Sequence, residues 1–382
     1  MTRIAIIGGG FAGTWAAMSA AAEREAHGAN DVEITMISDQ DSMCVRPRLY
    51  EGATEAMMVP LRPLMDEIGV ELALSRVASV NATSLELESG DTIAADRTVL
   101  AAGSAAQFPP VPGAKEYGFQ IDNYPTAQRL DIHIKNLRSE DAATRTIVVV
   151  GASFSGLEIA TQLRCRTDDS FRLILIDQQD RAGASLGVSL TETVETALKE
   201  AGVTFLGGLT ISAMTHDKVT LSDGCEIETR TVIFATGMKA SPLTRSITTS
   251  QDRSGRVEVD AHLKVATHET IFAAGDVASA WADPSHRSLM SCQHAMPMGI
   301  VAGRNAVLDL LDVDLSEYQQ PFYATCIDLG PFGAVFTNGW NREIVKTRQE
   351  GAEMKAQINT QWIYPPSPEI GRDAIFEMIR SQ

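Results

Sequence analysis

The chain has 382 residues, more than one ordinary core accommodates, and so reads as two or three domains. Apolar residues make up 44% and charged residues 21%, the balance of a soluble globular protein. With 32 basic and 49 acidic residues the net charge is −17, which argues against nucleic acid and anionic membrane surfaces as partners. The five cysteines (Cys44, Cys165, Cys225, Cys292, Cys326) form no C-x-x-C pair and no Cys/His cluster at ligand spacing. Free thiols in a reducing compartment, and no metal, are expected. A strand begins almost at the first residue, leaving no room for a signal peptide, and no apolar run is long enough to cross a bilayer. The expectation is a cytoplasmic chain without a transmembrane segment.

Ile4-Ala5-Ile6-Ile7 is a continuous apolar run, as in a parallel strand covered on both faces. It leads into Gly8-Gly9-Gly10-Phe11-Ala12-Gly13 and then an Ala-rich helix from Thr14 to Glu25. Gly8 allows the tight exit, Gly10 lets a pyrophosphate approach the backbone, and Gly13 lets the helix pack close to the sheet. The helix amides then point at the phosphate. Further on, Leu87-Glu88-Ser89-Gly90-Asp91-Thr92-Ile93 predicts a hairpin, and Thr98-Val99-Leu100 a buried strand ending in Ala101-Ala102-Gly103. The stiff Phe108-Pro109-Pro110-Val111-Pro112-Gly113 segment follows.

The same unit then recurs. Thr146 to Val150 is apolar, Gly151-Ala152-Ser153-Phe154-Ser155-Gly156 repeats the turn with Ser153 at the middle glycine position, and a helix runs from Leu157 to Arg164. A second hairpin around Leu221 to Ile227 leads to Thr231-Val232-Ile233-Phe234 and the exit Ala235-Thr236-Gly237. One glycine turn is a weak signal; two in full strand–turn–helix context predict a duplicated domain holding two dinucleotides, with a hydride passed between them. A late buried strand, Thr270 to Ala274, exits through Gly275-Asp276 and most simply returns to the first domain. From Gln319 the pattern changes, with strands expected at Cys326–Leu329, Gly333–Thr337 and Ile358–Ile363. A short amphipathic helix of mixed charge, Asp373 to Arg380, is expected to dock on its own domain or on a dimer mate rather than in lipid.

Taken together, these residues resemble the two-dinucleotide flavoproteins that include glutathione reductase, and within them the type II NADH dehydrogenases, over about residues 1–310. The resemblance implies an α/β fold with two Rossmann-like dinucleotide-binding domains of the three-layer ββα kind and a small α+β C-terminal domain. Residues 1–115 and 252–318 would bind FAD, 116–251 NADH, and 319–382 would form the C-terminal domain. FAD would then be held by Gly8, Gly10, Phe11, Ala12, Gly13, Val77, Ala102, Gly103, Gly275 and Asp276, the last bonding the ribityl chain. Where the family ends its second strand in a ribose-binding acid, this chain has Ser38 and then Asp39, and either could serve. Arg46 is a candidate for the FAD phosphate or adenine. Gly151, Ser153, Phe154, Ser155, Ala235, Thr236 and Gly237 would hold NADH. Asp177 keeps the second acid, which accepts ribose hydroxyls and would repel a 2′-phosphate, so NADH is preferred to NADPH; Arg181 nearby reads as a solvated loop charge.

By the same resemblance, Gln293, His294 and Ala295 begin a helix whose amides face the flavin pyrimidine edge and stabilise the anionic reduced flavin. Glu158 lies near the nicotinamide, where it orients the ring, relays a proton or bonds a backbone amide. Glu158 and Gln293 are the candidate catalytic residues. The chain departs from the type II pattern at Cys292 and at Met296-Pro297-Met298, where a second Gln is expected, and this weighs against a ubiquinone-like acceptor. Arg48 replaces an apolar residue and reads as a surface ion pair or an anion contact. Cys44 reads as a packed thiol. The implied activity is NADH oxidation through FAD with a quinone-like acceptor. A ferredoxin or rubredoxin reductase, a single-cysteine disulfide or peroxide reductase, and an NADH-binding redox sensor are the alternatives. A homodimer and peripheral membrane contact are left open.

Overall fold

A computed structural model of the chain describes residues 2–137, 141–248 and 250–382. The first apolar run is the central strand Thr2–Ile7 of a five-stranded parallel sheet. The sheet runs in the order Ile271–Ala273, Arg97–Leu100, Thr2–Ile7, Val32–Ser38, Glu71–Leu74. The late strand therefore does return to the first unit, pairing Phe272 with Val99. One face is covered by the helix Phe11–Ala26, which starts at the first glycine turn, earlier than Thr14. The helix Cys292–Leu310 crosses it almost backbone to backbone. A Cβ on Gly299 would lie 2.3 Å from the Ala12 carbonyl oxygen, and one on Gly303 2.1 Å from that of Ala16. That close approach explains why the first helix is rich in alanine. Val77–Val80, Ser84–Leu87 and Thr92–Ala94 form an antiparallel sheet, with the expected hairpin joining the last two.

The second unit repeats the plan. Val203–Leu206, Arg172–Ile176, Thr146–Val150 and Thr231–Phe234 form a parallel sheet, and Ile211–Met214, Lys218–Leu221 and Glu226–Glu228 its antiparallel companion. The helix Phe154–Arg166 begins directly at the second glycine turn. The two Ala-x-Gly exits meet each other: Ser104–Ala106 and Met238–Ala240 pair antiparallel, forming the double crossing between the units.

The tail holds a three-stranded antiparallel sheet of Ala324–Asp328, Ala334–Asn338 and Glu343–Lys346. The first two strands match expectation. Ile358–Ile363 does not: it continues the helix Arg348–Gln357 as a π-helical turn, Ile358–Trp362. Residues Gly351, Lys355, Asn359 and Ile363 recur every fourth position on the buried side. Tertiary contact through those positions overrides the strand preference of Ile and Trp. The final helix, Arg372–Arg380, packs on Phe11–Ala26 with Phe376 fully buried, and Arg372 and Arg380 both face Glu25. It docks on its own chain, as one of the two sequence expectations had it. Among the described residues no helix is long and apolar enough to cross a membrane.

Candidate functional site

Both glycine turns have the shape a dinucleotide requires. Gly8 has φ +109° and Gly151 φ +104°, a backbone region that favours glycine. A Cβ on Gly13 would lie 1.8 Å from the Gly8 oxygen, and one on Gly156 1.7 Å from the Gly151 oxygen, so neither position admits a side chain. At Gly10, by contrast, nothing lies within 4 Å of the Cβ position, which leaves open space above the first turn. Thr14 Oγ1 in the first helix and Ser291 Oγ, at the N-cap of the helix Cys292–Leu310, are buried polar atoms without a protein partner. These features fit FAD on the first turn and NAD(H) on the second.

The acids at the strand ends behave differently. Asp177 accepts the Ala152 amide at 2.6 Å and the Gln179 amide at 2.8 Å, so it already braces the second turn. Asp39 is exposed and paired with Arg76, whereas Ser38 is buried, with its hydroxyl donating to the Gln40 carbonyl. A Cβ on Gly9 would lie 2.6 Å from Ser38 Oγ, so of the two candidates Ser38 is the one beside the turn. Arg181 is exposed and paired with Glu195.

Near the first Ala-x-Gly exit, Ser104 Oγ donates to Asp276 at 2.5 Å. Arg46 donates to the Ser104 carbonyl at 3.0 Å and pairs with Asp122 at 2.6 Å, so its guanidinium ties the domain crossing. Val77 is buried in the antiparallel sheet. Ala102 and Gly103 lie at the strand exit, with Gly103 at φ +63° and its carbonyl accepting the Ser241 amide. Ala235, Thr236 and Gly237 occupy the equivalent exit of the second unit.

Gln293, at the start of the helix Cys292–Leu310, is committed to the tail. In the orientation that satisfies both atoms, its carboxamide donates to the Ala324 carbonyl (2.8 Å) and accepts the Ala324 amide (3.1 Å). Its own carbonyl accepts from Gln320 Nε2 at 2.9 Å. Neighbouring His294 is fully buried, with Nδ1 at 2.9 Å from Gln320 Oε1 and Nε2 unpartnered. Burial pushes its pKa down to about 4, so the ring is neutral. Ala295 is buried against Gly275.

Glu158 is buried on the helix that follows the second turn. Its Oε1 accepts from Lys355 Nζ at 2.7 Å and from the Asp328 amide at 3.2 Å. Lys355 also donates to the Cys326 carbonyl at 2.9 Å and sits 5.3 Å from the Tyr50 ring centroid. Burial pushes the Glu158 carboxyl up, with Lys355 pulling against it. Burial opposes the Lys355 ammonium, yet Glu158 holds it above its ordinary range. Lys355, with Glu158 bonded behind it, lines a cavity of about 390 Å³ together with Arg48, Glu51, Gln162, Asp328 and Asn359. Arg48 is held by Glu51 at 2.7 Å and by the Tyr364 hydroxyl at 2.9 Å, an ion pair facing this cavity rather than open surface. Asn359 donates to Glu51 at 2.6 Å and to the Tyr50 hydroxyl at 3.1 Å. Lys355, Asn359 and Tyr364 escape sequence reasoning because they lie in the tail, outside any recognisable motif.

Burial also raises the thiols: Cys44 upward, and Cys292 and Cys326 each to about 11. All three are held protonated.

Two glycine-turn units, a strand exit carrying Asp276 and a tail seated on both units define a flavin- and nicotinamide-dependent oxidoreductase. The chain belongs to the pyridine nucleotide-disulphide oxidoreductase family, which it matches over residues 2–299. Its cofactors are accordingly FAD and NAD(H). An NADH dehydrogenase-like protein of Mycobacterium tuberculosis is 38% identical over 380 residues, covering 96% of this chain and 95% of that one. A type II NADH:quinone oxidoreductase of Staphylococcus haemolyticus is 25% identical over 389 residues, covering 95% of each. The fold is similar to that of NDH2 from Plasmodium falciparum in complex with NADH (TM-score 0.79, 10% identity, 99% of this chain and 97% of that one).

Proposed function

We propose that the chain oxidises NADH through FAD and passes the electron pair to a quinone, with Glu158 and Lys355 handling the accompanying proton. The observation that carries this reading is the buried Glu158–Lys355 pair, whose Lys355 lines the 390 Å³ cavity. Reducing a quinone to its hydroquinone takes two electrons and two protons. One proton travels with the hydride of NADH and the other comes from solvent. FAD, when bound, supplies hydride acceptance and two-electron delivery. The rest falls to this chain's residues. Gly8, Gly10, Phe11, Ala12, Gly13, Ser38, Val77, Ala102, Gly103, Gly275 and Asp276 frame the flavin nucleotide, and Arg46 fixes Ser104, the partner of Asp276. The turn Gly151 to Ser155 and the exit Ala235 to Gly237 frame NADH, with Asp177 disfavouring a 2′-phosphate.

Lys355 lines the cavity as an ammonium bonded to Glu158, so it can hand a proton to the reduced quinone and regain one from solvent while the Glu158 carboxylate holds it in place. The lining residues Arg48 and Gln162 retain N–H groups that can be offered to quinone oxygens. In this reading residues 1–115 with 252–318 hold FAD, 116–251 hold NADH, and 319–382 close the acceptor side. Three protonated thiols speak against a cysteine-based disulfide route.

The test is steady-state turnover of the FAD-loaded protein with NADH or NADPH against menadione and ubiquinone analogues. NADH should outperform NADPH and menadione should reoxidise the flavin. Glu158→Gln should lower quinone turnover about 10²-fold while NADH still bleaches the flavin. Unchanged turnover in that variant, or no quinone reduction by the parent protein, refutes the proposal.

A further inference from the structure

The hairpin between Ala334–Asn338 and Glu343–Lys346 reaches from the tail to the second glycine turn, and its tip is anchored on two sides. Trp340 is stacked between His286 of the first unit (centroids 4.3 Å, 4°) and Tyr323 (4.3 Å, 12°). Ser189 Oγ, at the start of the helix Val188–Glu200, donates to the Arg342 carbonyl at 3.1 Å. Arg342 itself has φ +53°, a left-handed conformation uncommon for a long side chain. Its guanidinium carbon lies 5.4 Å from the ring centroid of Phe154, the first residue of the helix that opens at the second turn, and 5.7 Å from that of Tyr323.

The guanidinium is poorly satisfied. Nη1 donates to the Leu186 carbonyl at 2.9 Å, Nη2 reaches the Tyr323 hydroxyl only at 3.4 Å, and Nε is buried without a partner. Among the described residues no carboxylate lies within ion-pair distance of it. The chain carries a net charge of −17, yet this half-buried cation stands beside the nucleotide turn without a counter-charge. Desolvating a guanidinium without an anion is unfavourable, and an arriving diphosphate would relieve it through charge-assisted bonds. A rigid planar fork suits a phosphate better than an ammonium does.

We propose that Arg342 is a nucleotide-positioning residue: its guanidinium takes the diphosphate of the nicotinamide dinucleotide from the tail side, opposite the amides of the second turn. Binding exchanges the contacts to Leu186 and Tyr323 for phosphate oxygens. The inference rests on NAD(H) as a cofactor and not on the identity of the acceptor.

The experiment compares the FAD-loaded parent with Arg342→Met by calorimetry, using NAD⁺, ADP-ribose and adenosine as ligands. ADP-ribose carries the diphosphate and adenosine does not. Kd for NAD⁺ and ADP-ribose should each rise about tenfold or more, with adenosine unchanged. KM for NADH should rise by the same factor with kcat within twofold, and Arg342→Lys should recover part of the loss. Equal weakening of adenosine and ADP-ribose would show a structural role and overturn the proposal, as would Kd values within twofold of the parent. Arg342→Gln, which keeps a polar hydrogen-bonding end without the charge, gives the same reading should the Met variant fail to fold. Failed quinone reduction with intact NAD⁺ binding would strike only the proposed function.

Discussion

Replacing Lys355 by Met isolates what the Glu158–Lys355 pair does. Both side chains are about one-tenth exposed, 11% and 10%, and their 2.7 Å contact has backbone support from Cys326 and Asp328. A desolvated pair of this kind is near break-even against an apolar replacement, but removing one partner strands the other. Without the ammonium, Glu158 would face only the Asp328 amide. The carboxylate can escape by taking a proton. At pH 7 that costs about 4 kcal/mol, since an ordinary glutamate ionises near 4.3 and each pH unit is worth about 1.4 kcal/mol. The expected loss is therefore about 3–4 kcal/mol at pH 7, in line with measured deletions of one buried partner. At pH 5 the same escape costs only about 1 kcal/mol, so the loss should shrink to about that. Adding Glu158→Gln to the Lys355→Met variant should recover about half or more of the pH 7 loss, because no charge is then stranded. Urea unfolding of FAD-loaded protein, followed by flavin fluorescence and far-UV circular dichroism at both pH values, reads the differences. Equal losses at pH 7 and pH 5, or a double variant no better than the single, would mean that the pair is solvated and that the reasoning is wrong.

Three further outcomes are expected. His294 has its pKa depressed to about 4, so the unfolded chain binds a proton that the fold refuses between about pH 6.5 and pH 4. Stability should be lost as pH falls through that window, by roughly 2–3 kcal/mol, and His294→Gln should flatten this part of an acid-unfolding curve. Gly156→Ala forces its Cβ against the Gly151 oxygen, so the variant should retain FAD yet show KM for NADH raised at least about tenfold; Gly13→Ala should instead purify with little flavin, as its absorbance spectrum would show. Phe376→Ala empties a fully buried position between the last helix and Phe11–Ala26 and should cost about 3–5 kcal/mol in denaturant titration, with an earlier loss of flavin on heating.

What could be read from the sequence was local. The glycine turns, the hairpins and the two Ala-x-Gly exits depend on spacings of a few residues, and the steric demand of Gly13 and Gly156 is met within the same turn. The meeting of those exits as a paired ribbon was not local and went unread. At Ile358–Ile363 the sequence predicts a strand where the tail helix continues, because the inward positions of that helix carry Gly351, Lys355 and Asn359 before Ile363. An apolar period of 3.6 cannot show where the buried face is polar, and two of those residues, Lys355 and Asn359, line the cavity beside Glu158. The segment that hid its secondary structure did so because its buried side carries polar chemistry instead of packing.

The tail reaches the helices that open at the second turn and at Cys292 by different polar links. Lys355 meets Glu158 on the helix of the second turn, Ala324 and Gln320 hold Gln293 at the start of the helix Cys292–Leu310, and Arg342 lies over Phe154. Apolar packing would tolerate small slips between these parts, whereas buried hydrogen bonds of 2.7 to 3.1 Å fix their register. Phe154 and Glu158 lie four residues apart on one helix, so their tail partners Arg342 and Lys355 approach the same helical face one turn apart. A shift of that helix on nucleotide binding would be felt at Lys355, and through it at the cavity. The duplicated dinucleotide units supply the places where cofactors lie; the alignment of their helix starts with the cavity depends on residues that neither unit contains.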